Sequence, residues 1–123
     1  AEHIARYRHA DIVLDTAPYG GHTTTSDALW VGAPVVALSG KSFASRVSAS
    51  LLKAARLSEL IAPSLDIYET KIRELLNDAQ MGDKVRKHLQ QNRETLPLFD
   101  SAAFVKNLEA AYIKAWEETG KTK

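Results

Sequence analysis

Apolar residues fall first in short unbroken runs and later in stripes spaced by three and four. The runs lie at Ile12 to Asp15, Pro34 to Leu38 and Leu60 to Ala62. Continuous rather than alternating apolar residues predict strands buried on both faces, the pattern of a parallel sheet covered by helices. Between them the spacing predicts a helix from about Thr24 to Val31 and another from about Ser42 to Ala55. In the second, Phe43, Val47, Leu51 and Ala54 or Ala55 share one face, while Lys41, Arg46 and Lys53 fall elsewhere.

After Pro63 the pattern turns almost wholly helical. Ser64 is a natural N-cap for a helix whose Leu65, Tyr68, Ile72 and Leu75 or Leu76 form one stripe, with Glu69 and Arg73 spaced to pair. "GDKVRKHLQQNRETL" and "SAAFVKNLEAAYIKAWEET" predict two more helices, separated at Pro97 to Asp100. Asp100 or Ser101 can cap the last, whose Phe104, Leu108, Ala111 or Tyr112, and Trp116 continue the stripe. Trp30, Tyr68, Tyr112 and Trp116 all fall on such stripes and are expected in the core.

The fold class expected is therefore α/β: a partial Rossmann-like parallel sheet of few strands over residues 1–62, followed by a helical section over 63–123. Parallel sheets usually have about five or six strands, so this one is short of partners. Either an upstream segment completes it, which we prefer, or an open strand edge invites self-association. The opening "AEHIARYRHA", charged, helical in pattern and without an initiator methionine, reads as the middle of a longer protein.

Composition narrows the function classes. A net charge of +1 with 25% charged residues gives no single-sign field to attract nucleic acid or an anionic surface. No run approaches the roughly 20 apolar residues of a membrane span, and no signal peptide is evident, so a cytoplasmic location is expected. With no cysteine there are no disulfides, thiolate metal sites or cysteine nucleophiles. His9 and His88 lack ligand-spaced partners and no "DxD" motif occurs, so no metal and no cofactor are expected. Lys84, Arg86 and Lys87 read as an exposed charge cluster.

The polar chemistry concentrates in "DTAPYGGHTTTSD", between the first strand and the first long helix. In an open α/β sheet, ligands bind beyond the carboxyl ends of strands, where such a loop enters its helix. Gly20 and Gly21 would let the backbone turn with unusual dihedrals and approach a ligand. The helix start offers unpaired amides and a positive dipole end to phosphate, with hydroxyls from Thr23, Thr24 and Thr25 and a donor from His22. Asp27, one turn in, could accept from ribose hydroxyls. Gly-Gly followed by threonine is equally the composition of a simple turn and N-cap, and the stretch is neither a P-loop nor the dinucleotide fingerprint.

"LDTAPYGGHTTTSDALWVGAPVVALSGKSFASRVSASLL" resembles the end of the catalytic region of the O-linked N-acetylglucosamine transferase and SPINDLY family, glycosyltransferases often fused to tetratricopeptide repeats. The resemblance covers essentially the whole chain, from "AEHIARYRHADIVLDT" to the "PLF" and the final helix. It implies the carboxyl-terminal lobe of the GT-B architecture, of which this chain would be the second half. It also implies roles: His22, Thr23 and Thr24 hold the donor's diphosphate, Asp27 the ribose, and His3 lies near the nucleobase. No metal is implied. Lys41 or Arg46 could reach the diphosphate, or form a solvated basic face.

The activity implied is inverting transfer of N-acetylglucosamine from its uridine diphosphate form to protein serine or threonine. The partners are thus a nucleotide sugar and protein acceptors. The acceptor base is not found in this stretch, so the chain alone is expected to bind donor without turnover. Transfer of fucose from a guanosine diphosphate donor, a non-catalytic scaffold and another GT-B enzyme are the alternatives.

Overall fold

The computed structural model describes residues 2–120. Three short strands, β1 (Val13–Leu14), β2 (Val35–Leu38) and β3 (Ile61–Ala62), form one parallel sheet in the order β1-β2-β3. Val35, Val36 and Ala37 are fully buried, as an unbroken apolar run in a central strand requires. β1 pairs only with the first half of β2, Val13 opposite Val35 and Leu14 opposite Val36. β3 takes the second half, Ile61 opposite Ala37 and Ala62 opposite Leu38.

Helix α1 (Glu2–Ala5) runs into a 3-10 turn and packs on α2 (Thr23–Val31). Gly32 ends α2 in the left-handed conformation at φ 90°, where a side chain would be strained. Helix α3 (Val47–Ala54) begins five residues later than its apolar spacing predicts. The serines explain this: Ser45 Oγ donates to the Ser42 carbonyl at 2.9 Å and Ser42 Oγ donates to Ser45 Oγ at 2.9 Å, a local turn that competes with helix. Phe43 consequently leaves the predicted apolar face and is 75% exposed.

Ser64 caps α4 (Leu65–Asn77) by accepting from the Ile67 amide. Asp78 both ends α4 and caps α5 (Ala79–Gln91), accepting from Gln80 and Met81. One core joins the α/β and helical sections: Leu29, Leu52 and Leu60 pack with Leu75, Val85, Leu89 and Leu96 around β2. Arg86 is not simply a member of an exposed cluster, because its guanidinium donates to the carbonyls of Ala10 and Asp11 at 2.9 Å each and ties the amino-terminal segment to α5. His88 likewise has a structural partner, the Ala55 carbonyl at 2.9 Å.

Helix α6 (Ser101–Gly120) starts at Asp100, whose carboxylate accepts from the Ala103 amide at 2.9 Å. Its stripe forms, but no residue on it is buried, and Phe104, Tyr112 and Trp116 stand exposed, Trp116 by 79%. Among the described residues nothing presents a complementary surface to that stripe, so these aromatics are not core. Trp30 is also half outside the core, its ring edge-on to Phe99 and covered by the Arg93 guanidinium 4.8 Å from its centroid. Among the described residues no helix is long and apolar enough to cross a membrane.

Candidate functional site

Asp15 follows directly on β1, its amide still donating to the Val36 carbonyl at 3.0 Å. Its side chain is buried, with the residue only 7% exposed. Carboxylate Oδ1 accepts from the Gly21 amide at 2.5 Å, while Oδ2 is buried without a partner. The other face of this loop is held by α3: Ser48 Oγ donates to the Gly21 carbonyl at 2.6 Å and lies 3.0 Å from Thr25 Oγ1. Gly20 donates to the Ala44 carbonyl at 3.1 Å, and Thr16 Oγ1 donates to the Tyr19 carbonyl at 2.8 Å.

The glycines are needed for space. Neither adopts a positive φ, contrary to the unusual dihedrals expected of them; Gly32 is the glycine that does. A Cβ on Gly20 would lie 3.1 Å from both Asp15 Oδ2 and the Ala44 carbonyl oxygen. On Gly21 it would collide with the Thr25 hydroxyl and lie 2.8 Å from Thr24 Oγ1.

Helix α2 makes its first internal bond from the Ser26 amide to the His22 carbonyl at 3.1 Å. The amides of Thr23, Thr24 and Thr25 therefore open at the positive end of the helix. Thr23 and Thr24 are exposed there. Thr25, expected beside them as a third hydroxyl donor, is only 3% exposed, and its hydroxyl lies 3.0 Å from Ser48 Oγ rather than at the surface. His22 makes no side-chain cap to its own helix. Its ring is stacked on Tyr19, 5.2 Å between centroids at 13°, and meets Phe43 edge-on at 6.2 Å. Nε2 of that ring is buried with no partner.

Asp27 lies half-buried one turn further along α2. His3 is exposed on α1, with Arg6 2.7 Å from Nδ1 and Tyr7 edge-on, so its contacts stay within its own segment. The structure thus brings His22, Thr23 and Thr24 together, puts Thr25 behind them and Asp27 on the same helix, and keeps His3 on a neighbouring one. Lys41 and Arg46 are exposed, Arg46 Nε donating to the Ser42 carbonyl at 3.3 Å. A cleft of about 500 Å³ on their side is lined by Phe43, Arg46 and Lys53 but takes in neither His22 nor the threonines. Among the described residues no three His, Asp or Glu side chains come together as a metal site.

Several supporting residues escape sequence reading. Tyr68, expected only as core, donates from its hydroxyl to the Asp15 carbonyl at 2.6 Å. Burial foremost, and then the negative charge of Asp15, push its phenol above the ordinary value, which keeps it a neutral donor. A carboxylate at the end of an apolar strand was the one available signal for Asp15, since a buried charge needs a partner. Nothing local marks Ser48, 27 positions from Gly21.

The sequence model of glycosyl transferase family 41 matches residues 1–108. The "Probable UDP-N-acetylglucosamine--peptide N-acetylglucosaminyltransferase SEC" of Arabidopsis thaliana is 42% identical over 117 residues, 94% of this chain and 12% of that protein. The similarly named SPINDLY protein of Solanum lycopersicum is 36% identical over 115 residues, again 94% of this chain and 12% of the relative. A solved mutant of the Thermobaculum terrenum O-GlcNAc transferase superposes with a TM-score of 0.91 at 36% identity, covering 98% of this chain and 23% of that one. The chain thus spans about an eighth of the length of these curated relatives. By the extent of these matches and the shared fold, the chain belongs to glycosyl transferase family 41.

Proposed function

We propose that the chain forms the donor-binding part of a protein O-glycosyltransferase that moves N-acetylglucosamine from its uridine diphosphate form to serine or threonine hydroxyls with inversion. The observation that carries this is the start of α2, where the Thr23 and Thr24 amides precede the first internal helix bond and the adjacent His22 keeps an unpartnered Nε2. As the bond from the anomeric carbon to the diphosphate breaks, negative charge grows on the departing phosphate. Fixed donors aimed at that charge stabilise the transition state without having to reorganise. His22, held by Tyr19 and Phe43, and the α2 amides serve as those donors, the exposed Thr23 and Thr24 hydroxyls add two more, and Asp27 accepts from the ribose. Thr25 contributes through its amide and by bracing Ser48. His3 lies on the nucleobase side, on the helix that packs against α2.

The relatives named above, described as N-acetylglucosaminyltransferases, support the choice of sugar. The chain alone binds donor without turning it over, because the unpartnered groups at this site, Asp15 Oδ2 and His22 Nε2, are buried rather than open to an acceptor hydroxyl. Backbone amide NMR during titration with uridine diphosphate tests the proposal, with guanosine diphosphate run separately. Saturable shifts from Gly21 to Asp27 with the uridine compound, lost in Asp27→Ala, are expected. A guanosine preference would move the assignment to fucose, and silence with both, repeated on a longer chain that supplies upstream strands, would leave a scaffold.

A further inference from the structure

We propose that Asp15 is the positioning residue of this donor site, fixing the Gly21 peptide so that the α2 start is preformed before any ligand arrives. The role rests on the donor-site reading above. The geometry is that of a clamp with two jaws. Asp15 Oδ1 accepts from the Gly21 amide at 2.5 Å, and Ser48 Oγ donates to the Gly21 carbonyl at 2.6 Å. One residue is held at both its polar groups, by the end of β1 and by the start of α3. The next residue is His22, so a rotation at Gly21 would swing the imidazole and the first turn of α2 together.

Asp15 is itself immobilised along its backbone. Its amide is paired with β2 and its carbonyl with Tyr68 of α4, so the carboxylate is delivered to Gly21 from a rigid base. Burial of a carboxylate with only one partnered oxygen is costly, and an apolar side chain would serve packing better. Oδ2 remains unpartnered 3.1 Å from where a Cβ on Gly20 would be. The site tolerates that cost and excludes side chains at both glycines, which is intelligible if the Oδ1 bond is what sets the loop. A preformed loop lowers the ordering cost of binding and keeps the donors aimed where charge develops.

The test uses Asp15→Ala, Asp15→Asn and, on the opposite jaw, Ser48→Ala, in the full-length natural protein. Asparagine can still accept the Gly21 amide through its carbonyl oxygen, so it is the rescue variant. Leu75→Ala, a truncation of a buried core side chain with no hydrogen-bonding group, controls for general destabilisation. Hydrogen exchange by mass spectrometry on peptides covering residues 16–28 reads the clamp without ligand, and calorimetry reads the affinity for uridine diphosphate. Expected are a tenfold or greater loss of protection and of affinity in Asp15→Ala, smaller losses of both in Ser48→Ala, and values within threefold of wild type in Asp15→Asn. Leu75→Ala should lower the unfolding midpoint while leaving affinity unchanged. Unchanged protection in Asp15→Ala, or an affinity loss no larger than in Leu75→Ala, overturns the positioning role. If the wild type itself binds no uridine diphosphate, the donor-site reading falls and the role with it, whereas the exchange data still report on the clamp alone.

Discussion

Ser48 of α3 and Gly21 of the loop before α2 are joined by a 2.6 Å hydrogen bond from the serine hydroxyl to the glycine carbonyl. Because Ser48 is buried and also meets Thr25, this one hydroxyl ties two helix starts to each other. Ser48→Ala should therefore cost about 1–3 kcal/mol, the range for leaving a buried polar group unpaired. Urea denaturation measures it, and a change within error would show that water replaces the serine.

The three consecutive threonines should separate by role. Thr23→Val and Thr24→Val are expected to weaken uridine diphosphate binding several-fold with an unchanged unfolding midpoint, since both are exposed at the helix start. Thr25→Val should instead lower stability by about 1 kcal/mol through the lost contact with Ser48. Calorimetric titration beside thermal unfolding distinguishes the two patterns, and identical behaviour of all three would refute the division.

Two glycines should respond oppositely to alanine. Gly82 lies inside α5 with nothing within 4 Å of an added Cβ, so Gly82→Ala should stabilise by about 0.5–1 kcal/mol through helix propensity. Gly21→Ala drives a methyl into the Thr25 and Thr24 hydroxyls and should destabilise the fold while abolishing donor binding. Denaturation curves for the pair decide it.

Ending the chain at Asp100 should barely change the stability of what precedes it. No residue of α6 is buried, so its removal takes away little packing. A shift above about 1 kcal/mol in denaturant unfolding would mean that α6 is docked in solution. Loss of 1-anilinonaphthalene-sulfonate binding on removal of α6 would identify its stripe as the exposed apolar surface.

Tyr68 gives a pH signature. Its phenol is held above the usual value of 10.0 by burial and then by Asp15. The folded state thus keeps its proton more tightly than the unfolded one. The associated stability is fully present below about pH 10 and is lost as pH rises through the folded-state value. Ultraviolet titration of phenolate should show one late-titrating tyrosine that disappears in Tyr68→Phe. Four tyrosines titrating together would contradict it.

Much of this was legible in the sequence. The unbroken run Pro34 to Leu38 could be little other than a central strand, and β2 occupies it. Ser64 and the four-residue pairing of Glu69 with Arg73 were written locally and formed locally. Phe43 was misplaced because spacing alone weighs apolar residues, whereas the Ser42 and Ser45 hydroxyls delayed the helix. Tyr112 and Trp116 were misplaced because periodicity shows which face is apolar, and not what lies opposite it. At the site, the run "GGHTTTSD" was readable from residue type as the polar entry to α2, and the structure places it there. The supports were not, since Asp15, Ser48 and Tyr68 act through contacts 6, 27 and 53 positions apart.

The staggered register of the sheet has a consequence for where a ligand can sit. Leu14 stands level with Val36, yet β2 continues to Leu38. At roughly 3.3 Å per residue, the central strand overshoots its neighbour by about 7 Å. That difference makes a step in the carboxyl edge of the sheet, and Asp15 is the residue at its foot. The place where the loop from Asp15 to the α2 start leaves the sheet is thus written in a difference of strand lengths. One residue inserted into β1 would turn the aspartate to the opposite face and erase the step's function while leaving every residue of the His-Thr-Thr motif in place.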